Sequence, residues 1–460
     1  MEYLGLLGGV ALLVWLALRG INIVLAALLS SVVVIITNGL PVAQGITEYF
    51  SFGPLGAFTF AGKFFLLFTT GAIFGRVMGD SHAATSIALA LVRWLGAHRA
   101  LWITTLFCGL LTYGGVVVFV VIFTMYPLGL RLLKEADVPK RLFCAALALG
   151  GGTFTLTALP GTPSVQNVIA SVELGTDLFS GGWIGLAGAV IMFTLGMLYL
   201  ERQRLIAARN GEHFVPGPMD RVTNFDDDTQ HPNVLLAVVP LLLVLVTIMS
   251  PRVAMGLLDQ DTLTSVEWLW EILNFAVTQP IVWPSFALVV GTLLAIILFP
   301  MARRDALTIA GNGVQDAIMP VINTAAVIGF GGVVTHTVGF EGFTRLMLEF
   351  GLPPLLSMFT SVSLVSAITG SSSGGLQIFM HTMAPSYLEM GIAPSVLHRI
   401  SIMASGGFDS LPHCGAVVAM LTITGLSHKE AYRDVGMVTV VIPVIATLCM
   451  IGAVIMGGLV

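Results

Sequence analysis

The sequence predicts an all-α polytopic membrane protein, arranged as an inverted repeat of two five-helix units. Only 10% of the 460 residues are charged and 56% are hydrophobic, whereas soluble domains contain about 25% charged residues. Apolar runs of nearly membrane-spanning length recur along the chain, and about 20 apolar residues cross the hydrocarbon core of a bilayer. The third observation is a pair of glycine- and proline-rich interruptions, one in each half of the chain.

Composition and motifs exclude several classes of protein. A net charge of −5 offers no basic face to nucleic acid. The four cysteines are scattered through apolar segments without metal-ligand spacing, so neither a metal site nor a disulfide framework is expected. The sequence contains no Walker A, HExxH or CxxC motif and no serine-hydrolase elbow, so we expect neither an ATP-driven pump nor an enzyme, and no cofactor.

The apolar segments define the expected domains and helices. The first repeat covers residues 1–200, a polar cytoplasmic linker covers 201–232, and the second repeat covers 233–460. Residues 3–19 are predicted to be a retained helix, because Arg19 follows the apolar run where a secretory signal has its basic residues before it. Membrane crossings are expected near 3–19, 21–39, 60–79, 142–172, 181–200, 233–250, 281–300, 306–335, 396–425 and 436–458, with 142–172 and 396–425 broken.

The two halves share short motifs in the same order. Gly114-Gly115 matches Gly374-Gly375, Gly151-Gly152 matches Gly406-Gly407, and Leu159-Pro160 matches Leu411-Pro412. Five crossings in each half give the halves opposite orientations in the membrane. The repeat is therefore predicted to be inverted, with both termini outside.

Each half is also expected to contain a re-entrant hairpin. In residues 101–130 a glycine pair divides two apolar arms that are each too short to span the bilayer. Basic residues flank this first hairpin, so the positive-inside rule places its entry on the cytoplasmic side. The second hairpin, 354–385, has few basic residues and should enter from outside. The alternative is a straight helix that tolerates glycine.

The first break, Gly150–Asn167, is neutral and rich in hydroxyl and amide groups. Unpaired backbone in a bilayer survives only where it lines a cavity, and paired breaks indicate a transporter's binding site. A half-helix starting after Pro163 would present its N–H groups and dipole to a carboxylate. The predicted substrate-binding residues, which include the hairpin tips, are Thr112, Tyr113, Gly114, Gly115, Thr157, Gly161, Thr162, Ser164, Gln166, Asn167, Ser371, Ser372, Ser373 and Gly374.

The second break, Ser405–Val418, contains the acidic residue Asp409, with Ser410 beside it and His413 nearby. An acidic group within a membrane span is costly and usually functional. These three residues are predicted to couple transport to an ion. The alternative for Asp409 is a structural carboxylate that caps the following half-helix.

Structural roles are predicted for three other charged residues. Lys63 and Asp316 occupy equivalent positions of the two repeats, so a buried ion pair between them is expected. Arg399 matches Arg141 near a membrane interface. Its predicted role is therefore in topology or contact with a lipid headgroup, and binding of a substrate carboxylate is the alternative.

The segments TLTALPGTPSVQN, TGSSSGG and SGGFDSLPHCGAVV, together with the length and repeat plan, resemble the gluconate permease (GntP) family of the ion transporter superfamily. The resemblance covers essentially the whole chain. It implies secondary uptake of small organic acids such as gluconate, 3-hydroxybutyrate or D-serine, generally with protons. It also implies a homodimer in the bacterial cytoplasmic membrane, in contact with membrane lipid, with scaffold helices at the dimer interface and a moving transport domain that contains the hairpins and broken helices.

One segment departs from the family pattern. Gluconate and D-serine members carry a PPHP-like sequence where this chain has LPGTPSVQN. The departure favours the branch with hydroxybutyrate-like substrates. We therefore expect elevator-like proton symport of a small hydroxycarboxylate. Sodium coupling is the main alternative, and a channel or an intramembrane enzyme is less well supported by the motifs.

Overall fold

The computed structural model describes residues 2–116, 118–217, 220, 231–257, 266–349 and 351–458, and this part of the chain is helical without strands. Short π-helical or 3₁₀ turns cover Gly45–Phe52, Ala97–Arg99 and Phe154–Ala158. The first-half helices are α1 (Glu2–Leu18), α2 (Ile23–Thr37), α3 (Ala57–Asp80), α4 (Ala83–Leu95), α5 (Ala100–Tyr113), α6 (Val118–Ala136), α7 (Lys140–Gly152), α8 (Val165–Leu174) and α9 (Gly182–Arg209).

The second half continues the same pattern of long helices and short paired segments, with a π-helical turn at Met437–Val441. Its helices are α10 (Val234–Leu257), α11 (Glu267–Thr278), α12 (Val282–Leu298), α13 (Pro300–Arg304), α14 (Ala306–Val334), α15 (Val338–Glu349), α16 (Pro354–Thr369), α17 (Ser372–Thr382), α18 (Ala384–Glu389), α19 (Pro394–Phe408), α20 (Gly415–Thr424), α21 (His428–Gly436) and α22 (Ile442–Met456).

Several of these helices are suited to crossing a bilayer, which confirms the predicted class. Among the described residues, 6 continuous helical stretches are long and apolar enough, or 7 if the pair α11–α12, bent by 104°, is one span. The predicted crossings 3–19 and 21–39 form helices of 17 and 15 residues. The count of ten crossings and the inverted orientation of the repeats stay predictions.

Both predicted hairpins fold as two helices joined by a tight turn. In the first, α5 ends at Tyr113 and Gly115 has a φ of +92°, a backbone conformation that glycine adopts without strain. In the second, Gly370 has a φ of +61° at the end of α16, and Ser371 caps the start of α17. The turns therefore lie at the glycine-rich centres that the sequence indicated. Entry of each hairpin from one side of the membrane stays a prediction.

Both predicted breaks are present. In the first, α7 ends at Gly152, a π-helical turn follows, and α8 starts only at Val165. In the second, α19 ends at Phe408 and α20 starts at Gly415. Proline lacks the N–H donor that continues a helix and clashes with the preceding turn. Proline residues stand in both gaps, so the chain restarts as two short half-helices.

The long helices α3 and α14 pack against each other with opposite directions. A Cβ at Gly313 would meet Ile73, whereas a Cβ at Gly329 would meet Ala57. Rising residue numbers on one helix therefore oppose falling numbers on the other. Residues that the predicted repeat matches to each other therefore lie at different heights along this pair of helices.

The predicted ion pair between Lys63 and Asp316 is consequently wrong. Lys63 Nζ instead lies 3.1 Å from a carboxylate oxygen of Glu173 on α8. Asp316 pairs with Arg76, and the distance from Arg76 Nη1 to the Asp316 carboxylate is 3.3 Å. Arg76 lies near the end of α3 opposite to Lys63. The antiparallel packing separates the two residues that the repeat alignment had matched.

Helix α9 continues to Arg209, into the segment that the sequence predicts to be the polar linker. An ion pair of 2.7 Å between Arg204 and Glu201 lies along this extension. Residues 218–219 and 221–230 of the predicted linker lie outside the described residues, as do the acidic positions 259 and 261 of the predicted outer loop. The described part of the linker docks on α7, where Lys140 Nζ contacts Asp220 at 2.7 Å.

Candidate substrate site between the hairpins and the breaks

A cavity of about 250 Å³ lies where both hairpin tips meet both breaks. The first hairpin and first break contribute residues from one half of the chain, and the second hairpin and second break contribute residues from the other. The structure thus brings together groups that are more than 200 residues apart. Of the predicted site residues, those that line the cavity are Thr112, Gly115, Ser164, Gln166, Ser371, Ser372, Ser373, Asp409 and Ser410.

Three helix N-termini open into this cavity. The N-cap residues of α8, α17 and α20 are Ser164, Ser371 and Cys414, and all three line it. The first backbone N–H groups of a helix lack intrahelical partners, and the helix dipole adds partial positive charge there. Helix N-termini are therefore favourable sites for a carboxylate.

Hydrogen bonds at the cavity link the first break to the second hairpin and hold the Asp409 carboxylate within the second break. Gln166 Nε2 donates to Ser372 Oγ at 2.5 Å. Ser372 and Asp409 both line the cavity. Ser410 Oγ donates to the Asp409 carboxylate at 2.7 Å. Polar groups of all three elements therefore lie at one cavity.

The charge of the cavity comes from one residue. Asp409 carries the only charged side chain among the lining residues that the structure describes, and these include no Lys, Arg or His. No group of three or more His, Cys, Asp or Glu in the described chain is placed to hold a metal ion. An anion here would be held by backbone N–H groups and hydroxyls, next to one carboxylate.

Two polar atoms at the cavity have no hydrogen-bond partner within the described protein. They are Thr112 Oγ1, at the tip of the first hairpin, and Asn323 Oδ1, on α14. Thr112 is only 4% exposed. Buried polar atoms are nearly always hydrogen-bonded, so each exception calls for a missing partner. A bound ligand or water in the cavity would supply it.

The other predicted site residues do not line the cavity, although several support its walls. Tyr113 hydroxyl donates to the carbonyl oxygen of Pro160 at 2.9 Å and so ties the hairpin tip to the first break. His413 Nε2 lies 3.0 Å from the carbonyl oxygen of Ala367, so its hydrogen bond goes to the second hairpin. The predicted residues outside the lining are Tyr113, Gly114, Thr157, Gly161, Thr162, Asn167, Gly374 and His413.

Asn167 is fully buried and its amide is used structurally. Its Nδ2 donates to the carbonyl oxygens of Thr162 and Leu178 at 2.8 and 2.9 Å. Its Oδ1 lies 2.9 Å from His398 Nε2. These bonds hold the first break against α19, so the amide positions α8 without facing the cavity.

Arg399 does not contact a lipid headgroup, which its match to Arg141 suggested. It is completely buried, and its guanidinium donates to the carbonyl oxygens of Ala158, Leu178 and Ser180. Broken helices leave carbonyl groups without partners, and a guanidinium with five N–H donors can satisfy several at once. Arg399, in the second half of the chain, therefore stabilises the break in the first half.

The sequence interpretation missed the contribution of α14. Pro320, Asn323, Thr324 and Val327 of this helix all line the cavity. Their spacing places them on one helical face. A proline followed by an amide and a hydroxyl inside an apolar helix was the available signal, and it was overlooked because α14 has no break.

Paired broken helices and hairpin tips around a buried cavity define the class of the protein as a multi-pass membrane transporter. The family model described as GntP family permease matches residues 1–456. The chain therefore belongs to the GntP permease family, and its homologues place it in the bacterial inner membrane.

Three similar proteins illustrate the relationship. The uncharacterized transporter YxjC of Bacillus subtilis is 35% identical over 460 residues, which cover 96% of each chain. The high-affinity gluconate transporter of Escherichia coli is 23% identical over 370 residues, or 76% of each chain. The YdaH transporter of Alcanivorax borkumensis, a crystal structure with an unusual topology, aligns with a TM-score of 0.50, 14% identity and 87% coverage of each chain. This last similarity concerns the fold alone.

Proposed function

We propose that this permease is a secondary active transporter that imports a small hydroxycarboxylate, such as 3-hydroxybutyrate, together with protons. The observation that carries the proposal is the convergence of three helix N-termini on a cavity that lacks basic side chains. Such a cavity suits one carboxylate group. It lacks the fixed positive charge that a highly charged anion would require.

The size and lining of the cavity favour a short substrate. At about 250 Å³ it is smaller than the roughly 300–1,000 Å³ of pockets for drug-sized ligands. The elements α3 and α12 contribute only apolar residues, namely Leu67, Phe68 and Leu288. An alkyl end can pack there, whereas every hydroxyl of a polyol such as gluconate would need a polar partner. The gluconate activity of the Escherichia coli relative makes gluconate the second substrate to test.

Asp409 is the proposed proton site. As a carboxylate it repels the substrate's carboxylate, and as a carboxylic acid it does not. Protonation and substrate binding would therefore favour each other, which is the requirement for symport. Sodium coupling is the alternative, because carboxylate and hydroxyl oxygens such as those of Asp409 and Ser410 are also hard ligands suited to a cation.

The proposed movement is elevator-like. Two ion pairs join α3 and α10 to the end of α8 and the loop after it: Lys63 with Glu173, and Arg252 with Asp177. These pairs would have to separate if the half-helices moved relative to α3 and α10. We further propose a homodimer, as the family resemblance implies, with lipid around its outer face.

Uptake into proteoliposomes tests the proposal. Labelled 3-hydroxybutyrate and gluconate are supplied under a pH gradient or a sodium gradient, each imposed alone. We expect accumulation of 3-hydroxybutyrate driven by the pH gradient. If neither acid accumulates under either gradient, the proposal of a symporter is refuted. If accumulation is driven by the sodium gradient alone, the coupling ion is sodium and not the proton. Protein-free liposomes are the control.

A further inference from the structure

The polar face of α14 places a side-chain amide with an unpartnered oxygen at the substrate cavity. Asn323 Oδ1 is buried without a hydrogen-bond partner in the described protein, and Asn323 lines the cavity next to Thr324. Leaving a buried acceptor unpaired is costly. A hydroxyl group is the simplest donor that a small organic acid can bring to it.

The surroundings of Asn323 indicate which part of the substrate it meets. The three helix N-termini belong to the half-helices and the second hairpin, whereas Asn323 belongs to a long helix that packs against α3. The neighbouring helix α3 contributes the apolar side chains of Leu67 and Phe68 to the lining. The cavity therefore combines groups that suit a carboxylate, a hydroxyl group and an alkyl end.

We propose that Asn323 is a specificity-determining residue that accepts a hydrogen bond from the substrate's hydroxyl group and so distinguishes a hydroxy acid from the corresponding fatty acid. This inference rests on the proposed function and narrows its substrate class. A site built to bond a hydroxyl rejects the analogue that lacks it, because the protein group is then left unpaired. Thr112 Oγ1, the other unpartnered atom, lies on the first hairpin and can bond a second polar group of the same substrate.

Competition between 3-hydroxybutyrate and butyrate measures this discrimination. The quantity is the ratio of the two kcat/KM values for uptake into proteoliposomes. We expect the wild-type protein to prefer the hydroxy acid, and Asn323→Leu, which has similar volume but no acceptor, to reduce the ratio about tenfold or more. A general loss of folding lowers both uptakes together, so the ratio isolates recognition of the hydroxyl.

A matched control is available on the partner helix. Thr70 of α3 is buried, and its hydroxyl donates to the carbonyl oxygen of Leu66 at 2.9 Å within its own helix. Thr70→Val removes a buried polar group that does not line the cavity, so the ratio should remain at the wild-type value.

Asn323→Ala, with its smaller side chain, is the second variant in case the leucine substitution prevents folding. Ligand-induced thermal stabilisation in detergent provides a readout that needs no transport. If either folded variant keeps the wild-type preference, Asn323 does not read the hydroxyl and its partner is a water molecule. If the wild-type protein accumulates neither gluconate nor 3-hydroxybutyrate, the proposed function fails, and that result is distinct from unchanged selectivity.

Discussion

Replacement of Asp409 by asparagine tests the proposed proton site most directly. Asparagine has the shape of the protonated acid and can keep the hydrogen bond to Ser410, but it cannot acquire a negative charge. A roughly spherical cavity of about 250 Å³ is about 8 Å across, so substrate and Asp409 carboxylates would repel by about 2 kcal/mol at an effective dielectric constant near 20. This corresponds to about a 30-fold difference in affinity between the charged and neutral forms.

We therefore expect the wild-type protein to bind 3-hydroxybutyrate more tightly at acidic than at alkaline pH. Asp409→Asn should bind with the tighter affinity at every pH. The assay is isothermal titration calorimetry on purified protein from pH 5 to pH 8. In proteoliposomes, one coupled proton supports about tenfold accumulation per pH unit of gradient. The variant should still exchange substrate but should not accumulate it.

The control is Asp316→Asn, which removes a carboxylate that pairs with Arg76 and does not line the cavity. It should leave the pH dependence of binding unchanged. Full proton-driven accumulation by Asp409→Asn would refute the assignment of the proton to this residue. An affinity that varies with pH in the variant as in the wild type would refute the electrostatic argument.

Two further predictions concern stability. Gly150→Ala should lower the free energy of unfolding by about 1–3 kcal/mol through overpacking, and with it the melting temperature. The reason is that its Cβ would lie 2.3 Å from the carbonyl oxygen of Thr105. A Cβ at Gly152 would have no neighbour within 4 Å, so Gly152→Ala should leave the melting temperature unchanged. Equal melting temperatures of the two variants would contradict this packing. Asp220→Asn should speed hydrogen exchange of residues 211–217, because Lys140 would lose its partner in a pair with side chains only 5% exposed. Burial alone would raise the pKa of Asp220, but hydrogen bonds from Lys140 and other donors hold it below its usual range. In the wild type this stabilisation should therefore be present above about pH 4, which is the pKa of Asp in the unfolded chain, and should fall only at lower pH. Rapid hydrogen exchange of residues 211–217 in the wild type at neutral pH would contradict this prediction.

Local chemistry explains which elements were predictable. The hairpin turns were visible because Gly115 and Gly370 adopt positive φ values that other residues rarely adopt. The breaks were visible because proline stands there among glycine, hydroxyl and amide groups, in segments that are otherwise apolar. Asp409 was visible because a charge in an apolar segment is rare. Each of these signals is carried by a few neighbouring residues.

The partners of distant side chains were less accessible. Lys63 was matched to Asp316 by the repeat, but antiparallel packing of α3 and α14 gives it Glu173 instead. Arg399 was predicted to act in topology or to contact a lipid headgroup, but its side chain is buried and satisfies carbonyl groups in the other half of the chain. Side-chain partners depend on the relative height and rotation of packed helices, which spacing along the chain does not encode.

The sequence by itself determined that this is a multi-pass helical membrane protein with two broken helices, two hairpins and an acidic residue in the second break. Composition, glycine, proline and charge act locally and can be recognised in a single segment. Only the tertiary structure decided that three helix N-termini share one cavity with Asp409, and that α14 adds Asn323 to it. The reason is physical: a cavity is defined by the packing of distant helices, and packing depends on all of them together.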